Sequence, residues 1–242
     1  MGRVESTPPP AAVEVPLPWG PVIRGVRWGA ASDTILLLHE PGADLDAWDA
    51  LPARLAHTLG IAAVAADLPG HGLSDDPWEM EQIGALVQVL VEELANVPDR
   101  ATAGRTAIGR RFVISAGAIA SAVHASVGRL ALAGTVALSP AANPPSPIAM
   151  GEGGRGVRVN VPKLFFAGSL ADIDLEIARR LASDSTGWSA VTAVPVSERG
   201  TRLLATPWRA RIEEEIVAFL RDCQKRRPGV RPGPRITPRP AG

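Results

Sequence analysis

Between residues 34 and 223 the chain switches repeatedly between two hydrophobic periods, and this alternation constrains the fold more than any other feature. Residues 34–38 (TILLL) form a short continuous apolar run, which suits a strand covered on both faces. Leu45, Trp48, Leu51, Leu55 and Leu59 then recur at spacings of three and four, which makes one apolar helix face, and Gly60 supplies a stop. Residues 61–66 (IAAVAA) read as the next strand. Met80, Ile83, Val87, Leu90 and Leu94 mark a second helix, ended near Pro98. The same pattern predicts strands at 112–114, 135–138, 163–166 and 190–196. It predicts helices at 117–127 and 174–184, and a last one through Ile212, Ile216, Phe219 and Cys223. Residues 13–17 and 22–28 alternate weakly, which suggests an antiparallel pair at one sheet edge. The order predicts an α/β fold: a mostly parallel sheet of about eight strands with helices on both faces. Such sheets bind ligands at the C-terminal ends of their strands.

The chain ends read differently. Residues 225–242 hold six basic residues and no acidic one, so the zero net charge hides an acidic body of 19 basic against 25 acidic residues. Residues 1–12 and 225–242 are rich in Pro, and both are expected to be unstructured around a single domain at 13–224. The balanced total charge gives no field for nucleic acid. One cysteine, Cys223, excludes a disulfide scaffold and a Cys-based zinc site, so no metal and no cofactor are expected. No apolar run reaches the roughly 18 residues of a membrane span, and the N-terminus lacks the apolar stretch of a secretory signal. These features lead to a cytoplasmic protein as the expectation.

One loop is specific. Residues 67–74 read Asp67-Leu68-Pro69-Gly70-His71-Gly72-Leu73-Ser74, after a strand ending at His39 and a helix carrying Trp48. Residues 34–76 resemble the N-terminal half of alpha/beta-hydrolase-fold proteins, and the resemblance extends over residues 13–222. It implies an alpha/beta-hydrolase fold. It also implies hydrolysis of a small ester or acyl substrate by a Ser-His-Asp triad. The segment 140–162 is too short for a cap domain, so an open pocket is expected.

The resemblance maps onto this chain with departures. It implies Ser115 as nucleophile, in Val113-Ile114-Ser115-Ala116-Gly117, although Val113 stands where a glycine belongs. A second register puts Gly117 at the nucleophile position and leaves none. The oxyanion loop would involve His39, Glu40 and the residue after the nucleophile, Ala116, with backbone N–H groups near Ala43 as further donors. Glu40 replaces the usual glycine, and its carboxylate would oppose a developing oxyanion. Asp172 is the first choice as triad acid, with Asp174 a candidate helix cap. The position of the base falls at Arg199-Gly200, and no histidine occurs beyond His124. Arginine stays protonated and cannot serve as base near neutral pH. His124 lies nine residues after Ser115 in a helix, roughly 12 Å or more away. Two functions remain open: a hydrolase with an incomplete triad, or an inactive member acting as a binding or interaction protein.

Overall fold

The structure, a computed structural model, describes residues 9–76, 83–95, 109–141, 160–170, 172–185 and 187–226. Eight strands make one open sheet in the order β1-β2-β4-β3-β5-β6-β7-β8. They are β1 (Ala11–Pro16), β2 (Val22–Trp28), β3 (Thr34–Leu38), β4 (Ala62–Ala66), β5 (Arg111–Ala116), β6 (Gly134–Leu138), β7 (Lys163–Gly168) and β8 (Ser189–Val194). β1 pairs antiparallel with β2, and β2 antiparallel with β4. From β4 through β8 every pairing is parallel. The edge hairpin and the parallel body are therefore as the periodicity predicts.

Strand side chains alternate between faces, and here both faces are covered. Ile35, Leu37, Ala63, Ala65, Phe112 and Ile114 share one core with Trp48, Leu51 and Leu55, and with Ile212, Ile216 and Phe219. That face is closed by α1 (Leu51–Leu59) and α5 (Arg209–Lys225), which touch each other. Leu36, Leu38, Val64, Ala66 and Val113 point the other way, against α2 (Ile83–Ala95) and α3 (Gly117–Ser126). A third apolar group, including Phe165, Leu175 and Ala178, seats α4 (Asp172–Ser183) on β7. Burying a Leu or Phe side chain contributes roughly 1.5–3 kcal/mol, so these groups hold the sheet–helix layers together.

Two local differences from the sequence reading have clear causes. The single helix expected through Leu45–Leu59 is split into a 3-10 turn, Leu45–Trp48, and α1. Asp49 between them is left-handed at φ 47°, and Pro52 sits in the first turn of α1, where its missing N–H costs nothing. β1 begins at Ala11, two residues inside the segment expected to be unstructured, because Ala11 and Ala12 pair with Arg27 and Val26. Similarly, α5 runs to Lys225. Residues 1–8 and 227–242 lie outside the described residues, as do Met80, Pro98 and most of the segment expected to lack a cap. No described helix is long and apolar enough to cross a membrane.

Candidate active site

At the C-terminal end of the parallel strands, the loop after β3 is held by histidines and a carboxylate. His39 is fully buried. Its Nε2 accepts the Leu68 N–H at 3.0 Å, so the ring proton sits on Nδ1, which donates to the Glu40 carbonyl at 2.8 Å. Burial lowers its pKa below the usual histidine value, which keeps it neutral. His71 is wired alike: Nε2 accepts the Gly42 N–H at 2.9 Å and Nδ1 faces the Pro69 carbonyl at 2.9 Å. Asp67 accepts the N–H of Leu45 at 2.8 Å on one oxygen and that of Leu73 at 2.9 Å on the other. The Asp67–Ser74 motif is thus a brace that fixes the path of residues 39–45. Ala43, expected among the oxyanion donors, spends its N–H on the Glu40 carbonyl at 3.1 Å.

The next segment is the turn from β5 into α3. Ser115 is still in the strand and 1% exposed, and its neighbour Ala116 pairs with Leu138. That pairing holds the chain extended through Ala116, whose φ is −125°. The left-handed turn comes at Gly117, φ +57°. This is the second register, and it corrects the placing of the turn at Ser115. Ser115 Oγ has no hydrogen-bond partner among the described residues. Neither Ser115 nor Ala116 is among the described residues lining the cavity, while Gly117 is. Val113 packs as an ordinary core residue.

Glu40 links this turn to the segment after β8. A Cβ placed on Gly117 would lie 2.8 Å from the Glu40 Cβ, and one on Gly200 would lie 2.4 Å from Glu40 Oε1. The carboxylate runs from one glycine to the other and ends on Thr201. The Thr201 N–H donates to it at 3.1 and 3.2 Å, and Thr201 Oγ1 donates at 2.9 Å. Glu40 therefore fills a slot that two glycines leave open.

The acidic residues after β7 separate. Asp172 is exposed on the first turn of α4 and does not line the cavity. Asp174, the residue read as a possible cap, is 5% exposed and does line it. Its Oδ2 lies 2.9 Å from Arg199 Nε, an ion pair whose angles do not make a hydrogen bond. Burial raises the Asp174 pKa, and Arg199 opposes that rise. His124 is remote from this cluster. It tilts against Phe165 within the helix layer, and burial, helped by Lys163, lowers its pKa to about 4.

Together these segments enclose a cavity of about 770 Å³ lined by Glu40, Gly117, Ser139, Asp174, Arg199 and Gly200 among others. Ser139, at the end of β6, and Thr201 were not singled out as functional from the sequence. Among the described residues no group of three His, Cys, Asp or Glu could hold a metal ion.

No protein-family model matches the chain, and no curated protein matches it in sequence. Solved structures do resemble it in three dimensions. A predicted CIB-like hydrolase of Thermoplasma acidophilum superposes with a TM-score of 0.65 at 16% identity, over 88% of this chain and 100% of that one. A dienelactone hydrolase of Anabaena variabilis gives 0.64 at 13% identity, over 88% and 97%. An esterase of Pyrococcus furiosus gives 0.63 at 14% identity, over 88% and 92%. The chain has the alpha/beta-hydrolase fold. At these identities the likeness is one of fold. In this alpha/beta-hydrolase scaffold the cavity sits beyond the carboxyl ends of β3, β5, β6, β7 and β8, where open α/β sheets bind ligands.

Proposed function

We propose that this alpha/beta-hydrolase-fold protein is a non-hydrolytic member that binds a small molecule in the cleft beyond its parallel strands. The observation that carries the reading is Glu40 lying between Gly117 and Gly200 and bonded to Thr201. In the alpha/beta-hydrolase pattern the nucleophile stands on the turn after the fifth strand, the acid follows the seventh and the base follows the eighth. Gly117 at that turn offers no side chain. Arg199 beside Asp174 is a permanent cation and takes no proton. Glu40 brings negative charge to where an oxyanion would need donors. Ser115, the sequence-based choice of nucleophile, is enclosed in the strand.

A second reading, hydrolysis of a small ester or acyl substrate, is favoured by the solved neighbours, which are described as hydrolases and an esterase. A fluorophosphonate probe separates the two. Non-hydrolytic binding predicts no covalent adduct on the folded protein by intact-mass measurement. Stoichiometric labelling of any serine would overturn it.

A further inference from the structure

The sheet has two outer strands, and the chain treats their edges differently. β1 is guarded: Pro10 and Pro16 stand at its ends, and Glu14 is exposed along it. β8 reads SAVTAV, with no charge, no proline and no glycine. It keeps unbroken register with β7 from Lys163↔Ser189 to Gly168↔Val194, so no bulge twists it away. Its first four residues are half-buried and Ala193 is exposed. A bare edge of this length is a template for another strand.

The ladder to β7 sets which backbone groups of β8 point outward. The Trp188 carbonyl accepts the Lys163 N–H at 2.9 Å, and the Val194 carbonyl accepts the Ser169 N–H at 2.6 Å. Backbone groups alternate in direction along a strand, so the even-numbered positions of β8 turn theirs to β7. Ser189, Val191 and Ala193 turn theirs away from the sheet, where no described strand lies. A second β8 fits these groups in one symmetric antiparallel register. Val191 stands opposite the partner's Val191, and Ser189 stands opposite the partner's Ala193. Each such pair exchanges two hydrogen bonds, about six in all. The side chains along this seam are small and uncharged, so the two strands meet without bulk or like charge.

The neighbouring helix adds charge complementarity. Ser189 Oγ donates to the Ala182 carbonyl at 3.0 Å, and the Asp184 carboxylate acts on His124 of α3. Positions 177 and 184 therefore face α3, and helix geometry puts 176 and 179 on the opposite flank, toward the β8 edge. Glu176 and Arg179 are exposed and make no ion pair among the described residues. They lie level with Val191, since Val191 pairs with Phe165, and Phe165 packs on Leu175 and Ala178. A two-fold axis through Val191 runs the two copies of α4 antiparallel. It turns Glu176 toward the partner's Arg179, and Arg179 toward the partner's Glu176.

We infer that the β8 edge is a homodimer interface, in which a second copy of this chain continues the sheet by antiparallel β8 pairing centred on Val191. Closed two-fold pairing uses each edge once and leaves β1, the guarded edge, at both outer ends. The strands of the two copies run in opposite directions, so the two clefts open at opposite ends of the dimer. The interface is therefore independent of what the cleft binds or whether it reacts.

The test is sedimentation velocity of the full chain across a concentration series. The expected result is a concentration-dependent dimer. Ala193→Lys puts a charge on the exposed seam, and Val191→Pro deletes an outward N–H without removing a bond to β7. Each should weaken the dimer at least about tenfold. Glu176→Arg should weaken it about fivefold, and adding Arg179→Glu should restore it, because the facing charges are again opposite. Circular dichroism melts verify that each variant is folded, and Ala193→Lys decides if Val191→Pro is not. A monomer at every concentration would overturn the inference, and slow amide exchange at Val191 and Ala193 in that monomer would show that another part of the chain covers the edge. A dimer as tight in a folded Ala193→Lys as in wild type would overturn it too. Failure of the charge swap to recover the dimer would overturn the register.

Discussion

The Glu40 carboxylate ends on Thr201, taking its Oγ1 hydrogen at 2.9 Å and its N–H at 3.1 and 3.2 Å across 161 positions of sequence. This contact ties the loop after β3 to the 3-10 turn Gly200–Ala205 after β8. Thr201→Val removes the hydroxyl donor and keeps the backbone one. The expected loss is about 1–2 kcal/mol of stability, read from urea denaturation, because the acceptor is charged and partly buried. Thr201→Ser should retain most of the wild-type stability. An unchanged midpoint in Thr201→Val would mean that the contact holds nothing.

Gly117 and Glu40 are coupled by space. Gly117→Ser alone should lower stability by about 2 kcal/mol, since its Cβ meets the Glu40 Cβ at 2.8 Å and its φ is +57°. Glu40→Gly in the same chain removes the clash, so the double variant should be more stable than the sum of the two single changes predicts. Adding Arg199→His supplies a titratable base beside Asp174. The triple variant should gain fluorophosphonate labelling at residue 117 that none of the three single changes shows. Failure of all combinations to label would mean that the donors for an oxyanion are also missing.

His124 provides a pH signature. Its folded pKa, lowered to about 4 by burial and by Lys163, lies below the ordinary value of 6.5. Between these values the unfolded chain binds more protons than the folded one. The stability that depends on a neutral His124 is therefore full above about pH 6.5 and is lost as pH falls toward 4. The loss is up to ~3 kcal/mol if the whole shift is expressed. In His124→Leu this part of the pH dependence should disappear, as measured by denaturation midpoints at pH 7 and pH 4.5 relative to wild type.

Cys223 reports opening of the α5 layer. Its thiol is buried, and burial pushes its pKa up to about 12. At pH 8 almost no thiolate exists in the folded state, so iodoacetamide should modify it far more slowly than a free cysteine peptide. Urea above the unfolding midpoint should restore the ordinary rate. Rapid alkylation of the native protein would show that α5 detaches readily.

Much of the fold is legible in the residues because it follows from local periodicity. The run TILLL is β3 at the predicted residues, and Gly60 ends α1 in a left-handed conformation with its N–H on the Ala56 carbonyl. The Asp67–Ser74 loop is legible as a motif, but that its hydrogen bonds brace the loop after β3 shows only in the structure. The split at Asp49 was less visible, because an apolar spacing of three and four continues across it.

The site is a different matter. The sequence alone determined the alternation of strands and helices, the edge hairpin and the absence of a histidine after residue 124. Tertiary structure decided which residues meet. Ser115 and Gly117 are two positions apart, and only the pairing of Ala116 with Leu138 determines which of them turns the chain. Asp172 and Asp174 are the same residue type two positions apart, and only the pitch of α4 buries one beside Arg199 and exposes the other. Glu40, Gly117 and Gly200 fit one another although they follow three different strands, β3, β5 and β8. Periodicity is a property of neighbours in the chain, whereas the contents of this cleft are set by packing among residues brought together from distant segments.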